Sequence, residues 1–145
     1  MPKHTLVGTW SIVSYAIINE AGVKIAEPFG PHPQGQLIYT ENGFMSGHLM
    51  SADRSLSRSD LPHKASPEEK VLAFDSYIGY CGSYEVQEER VIHHVTTSCF
   101  PNWVGTDLVR VTQFDGDLLT LTAPPVTSKG RVRTVQIIWR RLETR

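Results

Sequence analysis

The chain has 145 residues, of which 40% are hydrophobic and 20% charged, with 14 Lys and Arg against 15 Asp and Glu. Those values describe an ordinary globular chain and make one domain, residues 1–145, the expectation. The near-neutral balance gives no electrostatic reason to expect nucleic acid or an acidic membrane surface as partner, and no apolar run reaches the ~18–20 residues a membrane helix needs.

Met1-Pro2-Lys3-His4-Thr5 leads straight into strand-like sequence, without an apolar leader or a small-residue cleavage site, so a cytoplasmic protein is expected. Residues 6–19 are dense in β-branched and aromatic side chains and read as a strand. Strict alternation puts Trp10, Ile12, Ser14, Ala16 and Ile18 on one face and Ser11, Val13, Tyr15 and Ile17 on the other. A turn at Asn19-Glu20-Ala21-Gly22 precedes a short strand over residues 23–26. Pro28, Pro31 and Pro33 with Gly30 and Gly35 make a rigid loop, from which Phe29 can plug one barrel end. Residues 36–40 and 44–50 form a hairpin around Asn42-Gly43. A two-residue turn puts Leu37, Tyr39, Ser46, His48 and Met50 together. A three-residue Glu41-Asn42-Gly43 loop groups Leu37, Tyr39, Met45, Gly47 and Leu49 instead, which separates apolar from polar better and is preferred.

Residues 51–66 are polar and irregular, and Asp53-Arg54 reads as a loop ion pair. Ser66-Pro67-Glu68-Glu69 is a helix start with a capping box, and the helix is expected to run to about Tyr77 with Val71, Phe74 and Ile78 on one stripe. Residues 78–86 and 91–98 form the next hairpin, with Val86 opposite Val91. Its interior face is then Tyr80, Gly82, Tyr84, Val86, Val91, His93, Val95 and Thr97. Phe100 and Trp103 lie in a loop and are expected to fold over the barrel mouth. A hairpin over Phe114-Asp115-Gly116 is read with Val109, Val111, Leu119 and Leu121 inside and Arg110 and Thr112 outside. Pro124-Pro125 ends it. In the closing strand Val135, Ile137 and Trp139 alternate with Thr134, Gln136, Ile138 and Arg140. First and last strands of this kind suit a sheet closed on itself, an all-β barrel.

Leu6-Val7-Gly8-Thr9-Trp10, Pro28-Phe29-Gly30-Pro31, the run from Gly35 to Thr40, Ala52-Asp53-Arg54 and Phe100-Pro101-Asn102-Trp103-Val104-Gly105-Thr106 together resemble the lipocalin-like domain family of small microbial barrel proteins. The resemblance implies a roughly eight-stranded antiparallel barrel with a central cavity. It also implies an Arg near the chain end lying over Trp10, a role open to Arg140 or Arg141. Members of such families include plain binders and enzymes that cyclise or isomerise natural products.

Gly47, Gly79, Gly82, Ser14 and Ala16 are small residues that would leave space inside such a barrel. Trp10, Leu37, Met45, Tyr80, Phe100, Trp103 and Leu121 are the candidate ligand contacts, with Asn102 placed to fix a polar end. His93 is the one imidazole on the apolar face, opposite Tyr84. With Tyr39 or Tyr84 as proton donor it could support acid–base chemistry, and His48 joins them if the shorter hairpin turn applies. His93 and His94 point to opposite faces and cannot share a metal ion, and Cys81 and Cys99 do not sit opposite one another for a disulfide. His94 beside Glu85 reads as a solvated surface pair. The leading expectation is a cofactor-free cyclase or isomerase, using no metal, on a small hydrophobic intermediate such as a polyketide or other secondary metabolite. The alternative is a non-catalytic carrier of a small hydrophobic or aromatic ligand. A third reading is an interaction module that forms a homodimer through Trp103.

Overall fold

The computed structural model describes residues 5–143. The leader reading rests partly on residues 1–4, which lie outside them. The strands are β1 (Gly8–Ile18), β2 (Lys24–Ala26), β3 (Gln34–Tyr39), β4 (Phe44–Met50), β5 (Tyr77–Gln87), β6 (Arg90–Ser98), β7 (Asp107–Asp115), β8 (Leu118–Thr122), β9 (Val126–Ser128) and β10 (Arg131–Arg141). One helix, α1 (Pro67–Asp75), precedes β5. β1, β3, β4, β5, β6, β7, β8 and β10 pair antiparallel in that order, and β10 pairs back onto β1. This is a closed eight-stranded barrel, and closure removes the open edges that would otherwise invite aggregation. The three-residue strands β2 and β9 extend β1 and β10.

Trp10 anchors the seam. Its indole is buried, its Nε1–H donates to the Leu6 carbonyl at 2.9 Å, and the Arg141 guanidinium lies 4.1 Å from its ring centroid. Arg141 also donates to the Val7 and Thr5 carbonyls, so it ties the chain's two ends together. Arg140 instead faces Asp117 at 3.5 Å, which decides between the two arginines.

Strict alternation fails along β1. Ile12 pairs with Trp139, but Ser14 pairs with Ile138, so Val13 is an extra residue. Beyond this bulge the parity reverses: Tyr15 and Ile17 lie opposite the inward Ile137 and Val135, in place of Ser14, Ala16 and Ile18. Phe29 is buried against Tyr15, edge to face at 4.8 Å, as a plug should be.

In the β3–β4 hairpin Tyr39 pairs with Met45, which leaves a three-residue Glu41-Asn42-Gly43 loop with Gly43 at φ +95°. Leu37, Tyr39, Met45 and Leu49 are buried together, and Phe44 and His48 are exposed. In the β5–β6 hairpin Val86 faces Val91 and Tyr84 faces His93, as expected. A bulge between Cys81 and Gly82 leaves Thr96 unpaired, so Thr97 lies opposite Cys81, exposed and off the interior face. The strands close tightly there, and a β-carbon on Gly82 would lie 1.8 Å from the His94 carbonyl oxygen. Gly82→Ala is expected to cost about 1–3 kcal/mol, read as a lower urea midpoint at unchanged slope. A melt that overlays the parent would refute this.

The β7–β8 hairpin departs most from its reading. Asp115 pairs with Leu118 across a two-residue Gly116-Asp117 turn, with Gly116 at φ +61° in the first position. A two-residue turn with glycine first matches the strand twist. The register therefore differs by three residues from the Phe114-Asp115-Gly116 reading, and because that shift is odd every side chain of β7 changes face. Thr112 now opposes Leu121 and is buried, donating to the Glu89 carbonyl at 2.9 Å, whereas Val111 is exposed. Arg110 comes inside with Thr112.

α1 begins with the expected capping box: Ser66 Oγ accepts from Glu69 N–H, and the Ser66 N–H donates to Glu69 Oε1 at 2.8 Å. The helix ends at Asp75, before Tyr77, and buries no residue. Val71, Leu72 and Phe74 are at least half exposed, and Ile78 belongs to β5. Arg54 pairs with no carboxylate among the described residues. It caps this helix, donating to the Ala73 carbonyl at 3.1 Å and to Ser76 Oγ at 2.9 Å, where a cation complements the helix dipole. Cys81 and Cys99 are free thiols.

Candidate functional site

The barrel encloses a cavity of about 160 Å³. Its wall is largely apolar, from Leu37 on β3, Leu49 on β4, Ile78 on β5, Leu121 on β8, and Val135 and Ile137 on β10. Trp103 and Trp139 add aromatic surface. Val135, Ile137 and Trp139, which alternate along β10, share this face.

The polar part of the wall is Tyr15, Tyr80, His93 and Arg110, with His48 bordering it between Gly47 and Leu49. His93 is fully buried and held at both ring nitrogens, Nε2 lying 2.6 Å from Tyr39 Oη and Nδ1 2.7 Å from Tyr80 Oη. One tautomer satisfies this chain. Tyr39 is enclosed, and His93 is its hydrogen-bond partner among the described residues, so the Tyr39 O–H donates to Nε2. Nδ1 then carries the ring proton and donates to Tyr80 Oη. The Tyr80 hydroxyl proton is left at the cavity wall, sharpened as a donor because its oxygen already accepts a bond. Tyr84, cross-strand from His93, turns away and donates to the Thr40 carbonyl at 2.8 Å. The partners of His93 are thus Tyr39 and Tyr80, not Tyr84.

Burial pushes the His93 imidazole down to about 3, and the positive charge of Arg110 and the neighbouring His94 add to the effect. It is neutral at physiological pH, with both nitrogens engaged. Burial also raises the Tyr15, Tyr39 and Tyr80 hydroxyls above the ordinary phenol value, while Arg110 pulls each of them back. Arg110 is therefore the charge that this polar cluster feels in common. Its Nη1 donates to the Val109 carbonyl at 2.8 Å, and no carboxylate pairs with it among the described residues.

The structure spreads the remaining expected site residues across three places. Trp10 and Met45 are core residues beneath the cavity rather than in its wall. His48 is exposed on the outer side of β4, bonded through Nδ1 to the Tyr77 hydroxyl and through Nε2 to Ser46 Oγ at 3.2 Å, so it does not join His93 and Tyr39. Phe100 lines an outer cleft at the mouth, with Phe29, Phe74 and Trp103. Trp103 borders both spaces, edge-on to Tyr80 at 5.8 Å and to Phe100 at 5.4 Å. Asn102 is exposed and lines neither space. Of the three glycines read as space-making, Gly47 borders the cavity, whereas Gly79 and Gly82 allow close packing against His48 and His94. His94 lies outside with Asp107 at 2.6 Å and Glu85 at 3.2 Å, a surface cluster as expected. Sequence reasoning missed Arg110, Tyr15 and Trp139 as cavity groups. The Gly116-Asp117 turn is the signal that could have found Arg110.

The family model described as a lipocalin-like domain matches residues 7–142. The chain belongs to the lipocalin-like domain family. The lipocalin-like barrel is also 36% identical over 84 residues to the 4'-hydroxy-3'-methoxypropiophenone carrier protein ppsC of Aspergillus oryzae, covering 52% of this chain and 76% of that protein. A solved structure of an uncharacterized protein from Bacteroides eggerthii aligns over 94% of this chain and 99% of its own, with a TM-score of 0.46 and 11% identity. Among the described residues, no helix of the lipocalin-like chain is long and apolar enough to cross a membrane.

Proposed function

We propose that this lipocalin-like barrel is a carrier that holds one small aromatic molecule in its central cavity and releases it unchanged. The cavity carries the reading. A space of about 160 Å³ with a largely apolar wall is on the order of the volume that takes a single benzene ring. A multi-ring cyclisation substrate would have to displace the walls. The state of His93 supports the same reading, because a general base works best with a pKa near the working pH, and this imidazole sits far below it with no free nitrogen. The similarity to a carrier of a substituted propiophenone agrees with a single-ring ligand.

A second reading has one specific observation in its favour: the Tyr39–His93–Tyr80 chain ends in a hydroxyl at the cavity wall. That hydroxyl could protonate a bound enolate, in an isomerase or cyclase using no cofactor.

One experiment separates the two. The protein is titrated with 4'-hydroxy-3'-methoxypropiophenone, following tryptophan fluorescence, since Trp103 and Trp139 line the cavity. Carrier action predicts saturation at one equivalent, a stability gain of about 2.7 kcal/mol at a hundredfold excess over Kd, and recovery of the compound unchanged. Ile137→Trp, which fills the cavity from β10, is expected to weaken binding at least tenfold, or about 1.4 kcal/mol, with the circular dichroism spectrum retained. Saturable binding untouched by that substitution would place the ligand elsewhere and refute the cavity reading. Turnover of bound compounds to products of equal mass would move the assignment to the isomerase.

A further inference from the structure

The cavity wall is unbalanced in its hydrogen-bonding chemistry. Among the described residues it contains no Asp and no Glu, yet it contains a guanidinium. It also holds donors without acceptors. The Tyr80 hydroxyl proton is left over once His93 has been satisfied. Trp139 is buried, and its Nε1–H has no partner among the described residues. A buried N–H without a partner costs about 1–3 kcal/mol, and a cation half-withdrawn from water without a counter-ion costs more. Natural barrels keep such groups where something else satisfies them.

We infer that the ligand presents an anionic oxygen, carried as a phenolate or carboxylate on its aromatic ring, and that Arg110 with the Tyr80 hydroxyl receives it inside the barrel. This rests on the carrier reading and narrows it to a chemical class. The guanidinium supplies the charge and a planar fork of donors, which suits a carboxylate or an aryl oxide better than a lysine would. The apolar wall takes the ring. Tyr80 adds a neutral donor whose strength derives from the Tyr39–His93 chain behind it. Tyr39 and His93 are then positioning residues, whose polar atoms are engaged with each other and with Tyr80 rather than with the ligand. A low-dielectric wall strengthens the Arg110 attraction and selects the ionised form of a weakly acidic ligand.

The test uses 4-nitrophenol, whose anion is yellow, 4-nitroanisole as its neutral counterpart, and benzoate as the carboxylate. Bound 4-nitrophenol should ionise at least one pH unit below the free compound, a tenfold preference for the anion read by absorbance. Arg110→Gln and Arg110→Met should both remove that shift, while 4-nitroanisole binds each variant within about twofold of the parent. Tight benzoate binding lost in the same variants identifies the site as a general anion seat. Benzoate excluded while nitrophenolate binds identifies it as specific for aryl oxides, and either result supports the assignment. If nitrophenol and nitroanisole bind equally and the phenol ionises as it does in water, Arg110 is not a ligand group and the inference fails, with the carrier reading intact. If no probe binds, both fail. Should Arg110→Gln unfold, Tyr80→Phe offers a separate route, and it should reduce the pH shift without abolishing it.

Discussion

Lowering the pH from 6.5 to 5 is expected to remove about 2 kcal/mol of folding stability through His93 alone. A histidine in the unfolded chain titrates near 6.5, whereas burial pushes folded His93 down to about 3. Between those values the unfolded chain binds a proton that the folded chain excludes. Stability therefore rises with pH across that window and is fully present above it. Over the whole interval the loss is roughly 5 kcal/mol, comparable to the total stability of many small domains. His94 acts in the opposite direction: its bond to Asp107 raises its pKa, so its contribution is present at lower pH and lost as the pH rises. That pair stands in solvent and its effect is small. Glu69, held low by the backbone N–H groups of Ser66 and Arg58, also loses its contribution on acidification, but in the carboxylate range below pH 5. The check is urea unfolding at pH 7, 6 and 5 for the parent and for His93→Gln, whose amide can still bond both tyrosines. The parent should lose stability steeply and the variant should not. Parallel curves would mean that His93 does not carry the effect.

Trp10→Ala is expected to cost about 3–5 kcal/mol, the range for deleting a large aromatic from a packed core. More than area is lost here. The indole packs in the main cluster with Leu6, Ile12 and Leu37, and it supplies the surface on which the Arg141 guanidinium rests. Arg141 in turn bonds the backbone near the chain start, so removing the ring loosens the β1–β10 seam that closes the barrel. Arg141→Gln tests the second part and should cost about 0.5–2 kcal/mol, since the ring stays buried and only the cation and its donors go. Equilibrium denaturation measures both. A Trp10→Ala cost below about 1 kcal/mol would show that the seam is held by β-pairing alone.

Much of this architecture is written in local chemistry. The alternation of Val135, Ile137 and Trp139 groups them on one face of the last strand, and the structure makes that face the cavity wall. Ser66 and Glu69 announce a helix start because their side chains satisfy backbone N–H groups that any helix leaves open. The polar–apolar pattern around Glu41-Asn42-Gly43 favours the three-residue loop that the structure has, and with it the inward positions of Met45 and Leu49 beside Leu37 and Tyr39. Val86 opposite Val91 places His93 on the inner wall opposite Tyr84.

Three features needed the assembled barrel. The bulges at Val13 on β1 and at Thr96 on β6 each insert one residue, which reverses the parity of the strand beyond it. On β1 that reversal exchanges Ser14 and Ala16 for Tyr15 on the inner face. The β7–β8 register differs by three residues from the pattern reading, and that odd shift alone carries Arg110 from solvent into the cavity. The partners of His93 are Tyr39 and Tyr80, while the Tyr84 hydroxyl is directed to the Thr40 carbonyl. The physical reason is common to all three. Side-chain period is a property of one strand and is legible from its residues, so the sequence by itself determined the eight barrel strands and the inner faces of β3, β4, β8 and most of β5 and β6. Register and bulges are properties of strand pairs, settled by which arrangement packs the whole ring of eight with its polar groups satisfied, and only the tertiary structure decided those.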